Sequence, residues 1–197
     1  MSAPNDEVNG IAFRDVLMNA LIGMAAVLLI ILAASQIQAQ LEASAEPPGN
    51  LTVYAAWPEG DTDIDLWVTG PAEPVPVGYS NKGGVLWNLL RDDLGLMPDA
   101  TALNFENSYT RGVVPGEYTI NLHCFRCPKL PVMVDVIVSV NSMSGIKGSS
   151  KTILTSKVEM SKQGQEKTVA NFKMDAEGKV DTATMNNVFV PLRSAKK

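Results

Sequence analysis

Apolar and polar positions divide this chain into two regimes. From residue 16 to residue 34, nineteen consecutive positions carry a single polar side chain, Asn19. As a helix rising 1.5 Å per residue, this run would be about 28 Å long, close to the roughly 30 Å hydrocarbon core of a bilayer. The pattern predicts one membrane-spanning helix. Residues 1–10 are polar, with Pro4, Asn5, Asn9 and Gly10, and read as a short tail. The helix and its extension take 11–41. The linker, 42–50, contains SAEPPGN, where two prolines cannot continue a helix and Gly-Asn favours a turn.

From Leu51 onward the helical run gives way to short stretches rich in β-branched and aromatic residues, separated by Gly, Pro, Asn and Asp clusters. This is the pattern of an antiparallel all-β sandwich occupying 51–197, with strands expected at 51–57, 64–69, 117–124, 132–140, 152–160, 168–174 and 187–191. VPGEY at 114–118 reads as a turn entering a strand, and DAEGK at 175–179 as a turn leaving one.

A cleaved secretory signal competes with the retained anchor. Such a signal has a basic n-region, an apolar core of about 7–15 residues and an A-x-A-like cleavage site. Here the apolar run is longer, Arg14 is the only base before it, and Ile37-Gln38-Ala39 matches the cleavage pattern poorly. Arg14 also sets the expected orientation, because no Lys or Arg occurs between Asp15 and Asn81. Positive residues stay inside, so the N-terminus is expected in the cytoplasm of a bacterial inner membrane and the β-domain in the periplasm.

Composition adds one asymmetry to this picture. The net charge of −5 combines ten acids and three bases in 51–121 with six acids and twelve bases in 122–197. Opposite charges on neighbouring strands of one domain account for it, as would a basic surface meeting an anionic partner. Nucleic acid is not expected for an exported domain without a basic and aromatic motif.

Three clusters carry candidate chemistry. GDTDIDLWVTGP, residues 60–71, places Asp61, Asp63 and Asp65 two apart, on one face of a strand. Three such carboxylates suit Ca2+ if other loops add oxygens, with Asp92, Asp93 and Glu106 as contributors; an acidic exposed face of an edge strand explains the same residues without a metal. HCFRCP, residues 123–128, offers three soft ligands where zinc prefers four, and His123 is the only histidine of the chain. Cys124 and Cys127 are then either a local disulfide or a pair of reduced structural thiols. One histidine supports no Ser/His/Asp arrangement, and no phosphate-binding G-x-x-x-x-G-K-[ST] or G-x-G-x-x-G occurs. The chain is not expected to be an enzyme.

The third cluster lies in the apolar segment. Asp15 stands where a carboxylate can cap a helix N-terminus. If the embedded helix begins near Ile11, Asp15 lies a turn inside instead. At 100° per residue, Asn19, Ile22, Ala26 and Ala33 fall within about 40° of Asp15, with Gly23 at the margin. Asn19, Gly23, Ala26 and Ala33 thus form a helix-interface stripe of small and polar residues.

FRDVLMNALI, residues 13–22, resembles the N-terminal helix of the ExbD, TolR and MotB proteins, the B-subunits of ion-driven 5:2 rotary motors. In that family an Asp followed by an apolar helix carries the transported H+ or Na+. The resemblance puts this role on Asp15, with Phe13 and Val16-Leu17 matching its flanks. It implies a homodimer whose helices sit inside a pentameric multi-span A-subunit of the MotA/ExbB/TolQ kind. Farther along, DIDLWV, YSNKGGVLWNLLRDDLG, NFEN and PGEYTINLHCF are in order similar to YfaP-like exported β-sandwich domains, over roughly 51–140. That likeness implies a fold and a binding or interaction role.

The expected function is therefore the B-subunit of a proton- or sodium-driven membrane motor, its exported domain transmitting force or binding an unknown extracytoplasmic partner. The alternative is a single-pass anchored binding module without ion transport. ExbD and TolR carry a small mixed α/β exported domain and MotB a peptidoglycan-binding one. Neither matches the strand pattern here, so their outer targets do not transfer.

Overall fold

The computed structural model describes residues 5–44, 49–96, 102–141 and 150–193, with helix side chains described for Ile11 and for residues 13–32. The chain forms two compact units, Met1–Ala45 and Glu46–Lys197.

The first unit is one helix, α1, spanning Asn5–Ser44. It takes in residues 5–10 of the expected tail and residues 42–44 of the expected linker. Adding residues to a nucleated helix is cheap. Within it, Phe13–Leu32 is long and apolar enough to cross a membrane, a property that an N-terminal signal sequence shares. All of its described side chains are exposed, Phe13, Leu28 and Ile31 among them.

The second unit is a two-layer antiparallel β-sandwich. Its strands are β1 (Leu51–Trp57), β2 (Asp63–Thr69), β3 (Trp87–Arg91), β4 (Asn104–Thr110), β5 (Gly116–Arg126), β6 (Val132–Asn141), β7 (Ser150–Met160), β8 (Glu166–Met174) and β9 (Val180–Asn186). One sheet runs β3-β4-β1-β6-β7 and the other β2-β5-β8-β9. Both inner faces follow the period of two that the sequence displays. Val53 and Ala55 of β1 and Val132, Val134, Val136 and Val138 of β6 meet Ile64, Leu66 and Val68 of β2 and Tyr118, Ile120 and Leu122 of β5. Burying one such Val, Leu or Ile contributes about 1.5–3 kcal/mol. An aromatic stack strengthens the centre: Tyr118 lies flat on Phe172 with centroids 5.6 Å apart, and Trp87 meets Tyr118 edge-on at 6.2 Å.

Two glycines are required by geometry. Gly116 opens β5 at φ +142°, a conformation that L side chains rarely adopt, which is why VPGEY can turn straight into a strand. A Cβ on Gly78 would lie 2.6 Å from the Trp67 ring, so only glycine lets the 77–81 segment close over that indole.

The expected strand at 187–191 does not form. β9 lies earlier, at Val180–Asn186, and β3 and β4 are strands that the apolar pattern did not announce. Residues 187–193 instead run across the outer face of β5 and β8. Their backbone groups bond to side chains: Asn171 Nδ2 donates to Val188 O at 2.7 Å, Asn121 Nδ2 donates to Val190 O at 2.7 Å, and Val190 N donates to Thr168 Oγ1 at 2.9 Å. Glu166 Oε1 accepts from Leu192 N at 2.9 Å. Backbone groups outside a sheet ladder are met by side chains such as these or by water.

Candidate functional site

Strand β2 is an edge of its sheet, so one row of its backbone groups has no neighbouring strand. Val77 covers part of that row, exchanging two backbone hydrogen bonds with Val68 at 2.9 and 2.8 Å. Glu106 covers another part from the opposite sheet. It lies on the inward face of β4, fully buried, and its Oε2 accepts from Leu66 N at 2.7 Å. Its Oε1 accepts from Asp93 N at 3.3 Å. The inward face of β4 is polar throughout: Asn104, Glu106, Ser108 and Thr110 are all buried. Asn104 Nδ2 donates to Pro58 O and Gly60 O, both at 3.0 Å, and Thr110 Oγ1 accepts from Leu51 N at 3.0 Å. These groups bind the backbones that the two layers leave unpaired between them.

The carboxylates of 60–71 separate on this scaffold. Asp63 and Asp65 are each 3% exposed, on the outer face of β2, because Ile64 and Leu66 take the core side. Asp61 precedes the strand and pairs with Arg126 at 2.9 Å, its side chain 45% exposed. Asp65 Oδ2 lies 2.7 Å from His123 Nδ1, and Arg193 donates to His123 Nε2 at 2.8 Å. A guanidinium has no acceptor, so Nε2 must accept and Nδ1 carries the proton given to Asp65. His123 is thus held between two partners, and Cys124 is bonded to Cys127. Gln163, in the β7–β8 turn, clasps this hairpin: its Oε1 accepts from Cys127 N at 2.8 Å and its Nε2 donates to Phe125 O.

Asp92 and Asp93 follow β3 and play different parts. Asp93 is fully buried and fully engaged, accepting from Gly95 N at 2.9 Å, Phe105 N at 3.2 Å and the Arg91 guanidinium at 2.9 Å. Arg91 lies 4.1 Å above the Phe105 ring as well. Asp92 gives Oδ2 to Lys82 at 2.8 Å. Among the described residues, Oδ1 of Asp92 and Oδ1 of Asp63 are buried without a hydrogen-bond partner.

One ligand atom from each of Asp65, Asp92 and Glu106 lies within 4.8 Å of the others. Burial raises the Asp63 carboxyl to about 7, with the charges of Asp65, Asp92 and Asp93 adding to it and Arg126 opposing. Burial likewise raises Asp65 against the lowering bond to His123. Burial also raises Glu106 well above the usual range; Asp65 and Asp92 add to the rise, and the backbone donors of Leu66 and Asp93 oppose it. These carboxyls are short of positive charge.

In α1 the structure places Asp15 ten residues beyond the first helical residue, well past any capping position. Asn19, Gly23 and Ala26 follow in the same helix as exposed residues, while the Ala33 side chain lies outside the described residues. Sequence reasoning grouped Asp61 with its two neighbours and left out Arg193. The pairing of Asp61 depends on Arg126, 65 positions away, and the Arg193 contact on a strap that no local pattern signals. Compared with protein-family models, curated proteins and solved structures, the chain matches none.

Proposed function

We propose that this chain is the B-subunit of an ion-driven membrane motor, in which Asp15 carries H+ or Na+ and the β-domain acts in the periplasm. The observation that carries the reading is the position of Asp15. It is the only carboxylate in Phe13–Leu32, one turn before Asn19, and it lies inside α1 where capping cannot account for it. An acid placed in an apolar span ordinarily faces a protein partner or a water path. One elementary charge crossing 100 mV gains about 2.3 kcal/mol, so a few ions per cycle suffice to turn a ring. The exposed apolar face around Leu17, Leu21, Met24, Leu28 and Ile31 would meet the lipid or the pentameric partner, and the stripe of Asn19, Gly23, Ala26 and Ala33 the second copy.

Native mass spectrometry of the chain co-purified with the product of its neighbouring gene tests this reading. A 5:2 complex with a multi-span partner is expected, and Asp15→Asn should assemble normally while abolishing ion-dependent function. A monomer whose Asp15→Asn variant keeps full activity would overturn it.

The sandwich favours a second reading, a single-pass anchored binding module, because its two all-β layers differ from the mixed α/β exported domain of the ExbD and TolR proteins. The same substitution separates the two, since a tether has no use for the carboxyl.

A further inference from the structure

We infer that the β-domain binds one calcium ion at the free edge of β2, held by Asp65, Asp92 and Glu106 with Asp63 beside them. The set draws on three separate stretches: β2, the segment after β3, and β4. It joins Asp65 of the run that the sequence suggests to two of the contributors expected there, Asp92 and Glu106, and leaves out Asp61, which is committed to Arg126.

Spacing is the first argument. Calcium binds oxygens at about 2.3–2.6 Å, so ligands on opposite sides of the ion are about 4.8 Å apart. The ligand atoms of Asp65, Asp92 and Glu106 all lie within 4.8 Å of one another, a separation that one such ion spans. The second argument is independent of spacing. Asp63 is 97% buried, given its 3% exposure, yet its Oδ1 has no hydrogen-bond partner, and its charge interacts with Asp65 and Asp92. Asp92 Oδ1 is buried and unpartnered in the same way. A buried carboxylate oxygen without a partner is costly, and protein interiors normally supply one. A cation held by Asp92 with Asp65 and Glu106 would partner the Asp92 oxygen and offset the negative charge that surrounds Asp63.

Chemistry selects the kind of ion. The three candidate ligands are carboxylates, as is Asp63 beside them, and carboxylates suit hard cations; both cysteine sulfurs are tied up in the Cys124–Cys127 bond. Calcium tolerates irregular sets of about six to eight oxygens, whereas magnesium demands near-ideal octahedral geometry. Glu106 already accepts from Leu66 N and Asp93 N, one with each oxygen, and Asp65 holds His123 with Oδ2, so the site is irregular, as calcium allows. Water would complete the shell. Glu106 joins β4 to β2 across the two sheets, so the bound ion would fasten the layers together at an edge that lacks a strand.

Thermal unfolding of the full-length chain in detergent, followed by the fluorescence of Trp57, Trp67 and Trp87, tests this. All three indoles lie in the β-domain. Calcium in large excess over its dissociation constant should raise the midpoint by about 5 °C or more relative to chelator, and magnesium at the same concentration should raise it much less. Asp92→Asn, which keeps the side chain's size, should remove most of the calcium shift; Asp135→Asn, on the exposed face of β6, should retain it. Asp15→Asn should also retain it, which separates this inference from the motor reading. Direct binding is read by terbium luminescence sensitised by the same indoles, displaced by calcium. A wild-type chain showing neither a calcium shift nor terbium binding at millimolar concentration would overturn the proposal, as would an Asp92→Asn variant with an undiminished calcium shift.

Discussion

Helix α1 and the β-domain distribute polarity in opposite ways. In α1 the large apolar side chains are exposed, while in the β-domain carboxylates, amides and a histidine are buried. The described side chains of the helix pack into no core within their own unit, and Phe13–Leu32 is long and apolar enough to cross a membrane. The sandwich completes itself: Val, Leu and Ile fill the centre, and a second, polar set binds the backbone that the layers leave unpaired. An apolar surface therefore reports where partners are needed, and a buried polar residue reports where the fold needed a donor or acceptor.

The comparison can be sharpened by substitution, from the largest effect to the smallest. Trp87→Ala removes a fully buried indole from the aromatic stack and should cost about 3–5 kcal/mol in chemical denaturation of the β-domain. Glu106→Ala leaves Leu66 N and Asp93 N without their acceptor and should cost about 2–3 kcal/mol, measured in chelator so that the ion does not contribute. Replacing Cys124 and Cys127 together with alanine opens a very short loop, for which chain entropy gives about 2 kcal/mol; a urea midpoint unchanged from the oxidised protein would contradict that.

A pH series tests the buried acids. Their carboxyls are raised in the folded state, so the stability linked to them is fully present below the unfolded carboxylate range and is lost as pH rises. For Asp63 the window runs from 3.8 to about 7. In chelator, the urea midpoint should therefore be lower at about pH 8 than at about pH 5, with a slope of at most about 1.4 kcal/mol per pH unit for each titrating group. At the small end, Leu28→Ala in α1 should change the unfolding of the β-domain by less than about 0.5 kcal/mol, because the Leu28 side chain is exposed and belongs to the other unit. An effect as large as that of Trp87→Ala would show that the two units depend on one another.

Legibility followed the same divide. The apolar run of α1 and the strands with alternating Val, Ile, Tyr and Phe could be read directly, because burial of apolar side chains at a period of two leaves a local mark. Strand β4, NFENSYT, left no such mark: its inward residues are Asn104, Glu106, Ser108 and Thr110, and Asn104, Glu106 and Thr110 hydrogen-bond to distant backbone. The segment 187–193 misled in the other direction, since Val188, Phe189 and Val190 look like a strand but lie across a sheet face, pinned by Asn121, Thr168 and Asn171. The acidic cluster was half legible. Its Asp-rich stretch stood out and Asp92 and Glu106 were named as contributors, but Asp61 turned to Arg126, and only the fold selected Asp65, Asp92 and Glu106 as the three that meet.

By itself the sequence determined one apolar helix long enough for a bilayer, an acid near its start, and an antiparallel sandwich behind a proline-rich break. Each of these rests on local period and composition, which the hydrophobic effect writes into neighbouring residues. The tertiary structure alone decided which carboxylates meet, that His123 stands between Asp65 and Arg193, and that the outer face of β5 and β8 is covered. Those outcomes depend on hydrogen bonds between residues far apart in the chain, and a single polar side chain does not reveal which distant backbone it will satisfy.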